Sequence, residues 1–201
     1  MTQTFSQTLT FEAFLAHYPE DGQRYELIEG EMVVMRPVGQ HELIASFIDA
    51  ELALTIRRLQ LPYFSSRNTL VKPHRPGSAD LPDVIVLDRE ALRADPYWEQ
   101  YSTISLGSAA RLVVEVVSTN WQDDYLRKLA DYEMLGIPEY WIVDSLGLGA
   151  TRYIGKPNQP TLSVYQLVDD EYQVSQFRGV ELVRSLVLPD LNLTAAQVFH
   201  A

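Results

Sequence analysis

A carboxylate in the middle of an apolar strand is the residue in this sequence whose chemistry most needs an explanation. Glu115 lies within Val113-Val114-Glu115-Val116-Val117. In an extended chain Val113, Glu115 and Val117 share one face, and Val114 and Val116 the other. Both faces are otherwise apolar. An unpaired carboxylate there costs several kcal/mol or takes up a proton, so the strand tolerates it best where a cation, or an Arg or Lys, meets it. Asp83 opens a second apolar run, Asp83-Val84-Ile85-Val86-Leu87, directly after Pro82. If the two strands are neighbours, their carboxylates converge at one sheet edge. Two hard oxygen ligands suit Mg²⁺, which keeps several waters and demands near-octahedral geometry at roughly 2.0–2.1 Å. From pattern alone a second reading carries equal weight: Asp83 is satisfied by nearby N–H groups and Glu115 is a salt-bridged core residue.

Lys128 follows on the next helix, where Asp124, Lys128 and Asp131 share one face at i, i+4 and i, i+3 spacing. Taken alone this is a solvated ion-pair ladder. Beside a bound phosphate the lysine would instead orient the attacking water or offset developing charge. His41 starts a long helix after Pro37 and Gly39, and reads either as a polar first-turn residue or as a further site member. Arg67, Lys72, His74 and Arg75 form the one basic cluster. They could meet phosphates, or belong to a solvated loop before Pro76-Gly77. The four histidines show no zinc spacing, and Walker A, GxGxxG and GxSxG patterns are absent.

These residues must be placed by secondary structure. Thr10 can cap a short helix carrying Phe11, Phe14 and Leu15. RYELI and EMVVM flank Glu29-Gly30 as a hairpin. Ile44, Ile48, Leu52, Ile56 and Leu59 recur at helical spacing over about 41–59, ended by Pro62. Residues 63–71 read as a strand, as does DVIVL. An irregular excursion spans about 89–110. RLVVEVV, apolar on both faces, reads as the sheet centre. Residues 123–135 read as a helix closed by Gly136, and EYWIVD as the next strand, a βαβ-like unit. TRYI, TLSVYQLV and EYQVSQF read as further C-terminal strands, and Thr194 as the cap of a last helical turn.

Composition bounds the function. The chain has 201 residues, 46% of them apolar, which suits one globular domain over 1–201. No apolar run approaches the roughly 18 residues of a membrane helix. The N-terminus lacks a signal-peptide pattern, and there is no cysteine, which excludes thiolate-metal sites and fits the cytoplasm. A net charge of −11 counts against a non-specific duplex-DNA coat. It counts less against an enzyme that needs acids to hold a cation.

YELIEGEM, His41 at a helix start, LPDVIVL, and LVVEVVSTNWQDDYLRKLADYEMLGIPEYWIVD together resemble the Uma family of putative restriction endonucleases, long a domain of unknown function, in the PD-(D/E)xK nuclease superfamily. The resemblance runs from about residue 8 to 199, and residues 113–144 are its most specific part. It implies an α/β fold, a mixed central sheet flanked by helices with an αβββαβ core, to which the C-terminal strands are additions. It also implies a catalytic set of Asp83, Glu115, Lys128 and Glu26, with Glu29 competing for the last place. Mg²⁺, or Mn²⁺ in its stead, would be held by Asp83, Glu115 and the Val116 carbonyl. The implied partner is DNA first and RNA second, with no membrane; a homodimer is compatible with cutting both strands. In one respect the chain departs from the superfamily: the position two after the second acid is Val117, and the lysine has moved to the following helix at Lys128. The implied activity is metal-dependent phosphodiester hydrolysis of nucleic acid. The rivals are a non-catalytic nucleic-acid-binding or regulatory domain keeping the fold, and hydrolysis of some other phosphodiester.

Overall fold

A computed structural model describes residues 8–36 and 38–201. Thr10 caps α1 (Phe11–Ala16), accepting the Ala13 N–H at 3.1 Å. A hairpin follows, β1 (Arg24–Ile28) and β2 (Glu31–Met35), turning through Glu29 and Gly30, both at positive φ. The long helix α2 (Gly39–Arg58) buries Ile44, Ile48, Leu52 and Ile56, the stripe its spacing predicts. Next come β3 (Tyr63–Ser66), β4 (Leu70–Val71), β5 (Val84–Asp88), α3 (Trp98–Tyr101), β6 (Thr103–Ile104) and β7 (Ala110–Val116). A π-helical segment (Asp123–Lys128) runs directly into α4 (Leu129–Met134). The chain closes with β8 (Glu139–Asp144), α5 (Thr151–Ile154), β9 (Thr161–Val168), β10 (Glu171–Phe177) and α6 (Ala195–Phe199), the last begun by a capping box at Thr194.

Six strands form one mixed sheet in the order β10-β9-β8-β7-β5-β3. Within this sheet β7 and β8 are the parallel pair, joined across by the π/α4 helix. In chain order α2, β3, β5, β7, the π/α4 helix and β8 make the αβββαβ core. The β7 strand is buried on both faces because each face meets a different layer. Leu112, Val114 and Val116 pack with Ile44, Ile48 and Leu52 of α2 and with Ala195 and Val198 of α6. Val113 and Val117 pack with Tyr125, Tyr132 and Tyr140 on the other side. Glu115 alternates with the second set, so it points toward the helix that carries Lys128. The β1–β2 hairpin is a separate sheet, tied to the rest by backbone bonds between Leu27 and Ala79.

Three local expectations give way to tertiary structure. Residues 63–71 are not one strand. The Ser66 hydroxyl accepts the Asn68 N–H and the Thr69 hydroxyl, turning the chain so that β3 pairs with β5 and β4 with β6. TRYI is a helical turn, not a strand: Ile154 is buried and Tyr153 stacks on Tyr125, and Gly155 at positive φ ends the turn. The helix over 123–135 is a π-helix for its first half, and it does end at Gly136, at positive φ.

The excursion before β7 is ordered by Asp95, which accepts the backbone N–H groups of Tyr97, Ser105 and Leu106. It then presses Gly107 against the end of α4. A Cβ at Gly107 would lie 1.9 Å from the Leu135 carbonyl oxygen. Both sides of that contact are backbone, so neither yields cheaply. Gly107→Ala is expected to destabilise the fold by about 1–3 kcal/mol, as for overpacking a tight core, measured by urea denaturation. An unchanged midpoint would mean that the excursion is free to shift.

Candidate active site

The carboxyl ends of the parallel pair β7 and β8 open into a cavity of about 410 Å³, at the sheet edge where α/β folds commonly take ligands. Its wall brings together Glu26, His41, Asp83, Glu115, Val116, Asp124 and Lys128. Each arrives on a different support. Glu26 comes from the small hairpin, His41 from the first turn of α2, and Asp83 from the residue before β5. Glu115 comes from β7, and Asp124 and Lys128 from the π-helix.

Lys128 is the hub. Its Nζ is 2.9 Å from Glu115 Oε1, 3.1 Å from Glu26 Oε1 and 4.0 Å from Asp124 Oδ1, with the side chain only 4% exposed. The ladder suggested by spacing is therefore buried rather than solvated, and Asp131 is no part of it: Asp131 turns to Arg75, at 2.8 Å. The Tyr132 hydroxyl donates to Glu115 Oε1 at 3.1 Å, while Glu26 also accepts the Leu81 N–H at 3.0 Å. Asp83 Oδ2 accepts the Val116 N–H at 2.8 Å and lies 3.1 Å from His41 Nε2. The second oxygens of Glu115 and Asp83 take no hydrogen bond from the described residues.

The electrostatics follow from crowding acids out of water. Burial pushes the Glu115 carboxyl well up, the charges of Asp83, Asp124 and Glu26 push the same way, and Lys128 offsets part of it. Burial raises Asp124 to about 7, again with Asp83 and Glu26 adding and Lys128 opposing. Burial alone would discharge Lys128, but Glu115, Glu26 and Asp124 outweigh it and hold the ammonium well above its usual range. Burial likewise lowers His41, yet its bond to Asp83, the Asp83 charge and the Val116 carbonyl together raise it.

Four acids thus face one lysine and one histidine. That excess of negative charge is what a divalent cation offsets. No three His, Asp or Glu side chains among the described residues are set as a ready-made ligand cage. Mg²⁺ does not need one, because it is commonly held by one or two carboxylates and keeps its waters. Asp83 and Glu115, each with an oxygen left over, fit that requirement.

Other expected residues are placed elsewhere. Glu29 sits at the hairpin turn, outside the cavity. Arg67 is locked to Glu42 by two bonds of 2.7 Å and donates to the Asp83 carbonyl at 3.2 Å, which steadies the chain leading into β5. Lys72, His74 and Arg75 line a different cleft with Glu29, Gly30 and residues 8–12. There Lys72 is engaged by Glu12 and Tyr97. The four basic residues therefore do not form one patch. Two contributors lay outside the sequence reading. Tyr132 is one turn beyond Lys128, so helical spacing could have flagged it. The buried Asp80–Arg127 pair, at 2.5 Å beside the hub, had no local signal.

The fold is that of the restriction-endonuclease-like class. The chain matches the family described as "Uma2: Putative restriction endonuclease" over residues 11–196, and it belongs to that family. Among solved structures it is similar to a "putative nuclease belonging to DUF820 from Anabaena variabilis". The TM-score is 0.72 at 18% identity, covering 96% of this chain and 98% of the other. At that identity the likeness speaks to the fold. No curated protein matches the chain. No helix of the described residues is long and apolar enough to cross a membrane.

Proposed function

We propose that this protein is a Mg²⁺-dependent endonuclease that hydrolyses phosphodiester bonds of nucleic acid, DNA in the first instance. The observation that carries the reading is the cavity at the ends of β7 and β8, where buried Glu26, Glu115 and Asp124 surround one buried lysine and a fourth buried acid, Asp83, lines the same wall. Structural ion pairs do not require such an excess of acid. A divalent ion, Mg²⁺ or Mn²⁺, held by Asp83, Glu115 and the Val116 carbonyl would supply Lewis acidity at the phosphoryl oxygen. Lys128, kept protonated by its neighbours, offsets charge developing on the phosphate and orients the water. Glu26 and Tyr132 fix the Lys128–Glu115 pair, and His41 fixes Asp83, so each carboxylate presents one defined oxygen. The direct test is incubation of DNA and RNA with the protein in Mg²⁺, Mn²⁺ or EDTA. Cleavage in EDTA equal to that in Mg²⁺, with repurified protein, would end the reading.

The alternative is a nucleic-acid-binding or regulatory domain that keeps the fold without the chemistry. The full pairing of Lys128 favours it, since a lysine bonded to two carboxylates needs no substrate.

A readout independent of cleavage follows from the raised acids. A carboxyl whose folded pKa is raised stabilises the fold below its unfolded pKa, and that contribution is lost as pH rises through the folded value. For Asp124 the window runs from the ordinary aspartate range up to about 7, and raised His41 acts in the same direction. In EDTA, Tm is expected to fall between pH 5 and 8, set as round values of roughly that window. Mg²⁺ or Mn²⁺ should restore most of the loss at the upper end, because an ion that binds only the folded state stabilises it. A flat Tm in EDTA with no response to either ion would argue against a cation site.

A further inference from the structure

We infer that the site accepts an unpaired strand, one nucleotide at a time, rather than intact duplex. The inference rests on the nuclease reading for the chemistry, but its evidence is separate. The working groups are at the floor of the cavity: Glu115 is 3% exposed, Lys128 4% and Asp83 8%. A cavity of about 410 Å³ is on the scale of pockets that enclose one small molecule. A phosphate held in a duplex backbone cannot reach that floor unless its nucleotide leaves the stack, a loss of pairing and stacking that a strand already unpaired avoids.

The walls support the same conclusion. Val33, Met35, Val38 and Leu146 line the mouth, and Val38 and Leu146 are 69% and 70% exposed. Besides Lys128 and His41, which are engaged by the site's acids, the basic lining residues are Arg24 and Arg36. Arg24 is spent on the Arg67 and Pro82 carbonyls. Duplex binding draws on rows of phosphate contacts, and neither this rim nor a chain of net charge −11 supplies them. Apolar walls do offer a surface for a base.

An aromatic cluster adjoins the cavity wall. Trp121 lies between Asn120 and Asp123, both lining the cavity, and is itself half-buried. Its ring meets Tyr153 at 6.2 Å, and the exposed Arg152 guanidinium lies 4.7 Å over the Tyr153 ring. Tyr153 is itself covered by Tyr125 and Arg152, so the half-buried Trp121 is the ring beside the acid-floored cavity that an unpaired base can meet, with Arg152 as the nearby cation, since every base has a π-face.

The test uses the full chain and one oligonucleotide sequence in three forms: single strand, blunt duplex, and duplex with a central unpaired bubble. Binding is read by anisotropy and tryptophan quenching in Ca²⁺, and cleavage in Mn²⁺. The single strand and the bubble should bind and be cut at least about tenfold better than duplex. Trp121→Phe, which keeps the packing, should lose the quenching, and Arg152→Ala should weaken single-strand binding by about tenfold, in line with stacking losses. Arg93→Ala, exposed on the excursion, is the control. Duplex cut or bound as well as single strand overturns the inference and leaves the nuclease reading standing. No cleavage of any form, with single strands still preferred in binding, overturns the nuclease reading and keeps this one. No preference in binding and no cleavage overturns both.

Discussion

Glu115→Gln is expected to lower metal-dependent cleavage by about a thousandfold or more while leaving the melting temperature unchanged or raised. On the proposed function Glu115 would hold the ion, so the loss follows from removing a hard anionic ligand where several kcal/mol of charge stabilisation is at stake, each 1.36 kcal/mol being about tenfold in rate. The stability forecast has the opposite sign for a structural reason. Glu115 is buried among Asp83, Asp124 and Glu26, all of which raise its carboxyl. A neutral amide removes that repulsion and still accepts from Lys128 and Tyr132, which now share Glu115 Oε1. Single-turnover cleavage and thermal melting in EDTA decide the matter together. A variant that melts far below the parent in EDTA would identify Glu115 as a structural ion-pair partner.

Lys128→Met reverses that pattern. The sequence alone suggests an exposed ladder worth under about 1 kcal/mol, but the structure buries the ammonium against Glu115 and Glu26. Taking away one partner leaves buried acids uncompensated, a loss of about 3–5 kcal/mol. The deficit depends on pH. Without Lys128 the folded pKa values of Glu115 and Asp124 rise further, so those groups stabilise the fold below their unfolded range and cost it stability as pH rises through their folded values. The gap between variant and parent should therefore widen from pH 5 to pH 8, taken as roughly the span above the unfolded carboxylate range. Urea unfolding in EDTA at the two values measures it. Where both proteins are folded, single-turnover cleavage should also fall by about a hundredfold. A constant small deficit at both pH values would mean that the ammonium is not buried in solution. Arg93→Ala, exposed on the excursion, is the control.

Much of the arrangement was legible before the structure, for identifiable reasons. Glu115 stood out because a strand apolar on both faces has no place for it. Asp83 and the helix of Lys128 followed from ordinary strand and cap signals. Residues 63–71 and TRYI depart from the strands their composition predicts because β propensity is overridden by a side-chain turn at Ser66 and by packing of Tyr153. The burial of Lys128 could not be read from i, i+4 spacing. It depends on Glu26, brought in from a separate hairpin, and on neighbouring charges matched across long separations, Arg75 with Asp131 and Arg127 with Asp80. Local periodicity carries no record of such pairs.

The π-helix also sets where this chain can change length. Glu115 meets Lys128 and Tyr132 on one side of a helix whose first stretch, Asp123–Lys128, closes i→i+5 bonds and whose second, Leu129–Met134, is α-helical. Deleting or adding a residue inside that stretch turns everything beyond it by about 100°, which would swing Tyr132 or Lys128 away from Glu115. The exposed residues 118–120 just before the helix carry no such phase. Length changes at 118–120 should therefore alter only the cavity wall that those residues line, whereas length changes between Asp124 and Tyr132 should be refused, both in natural variants of the chain and in any library built on it.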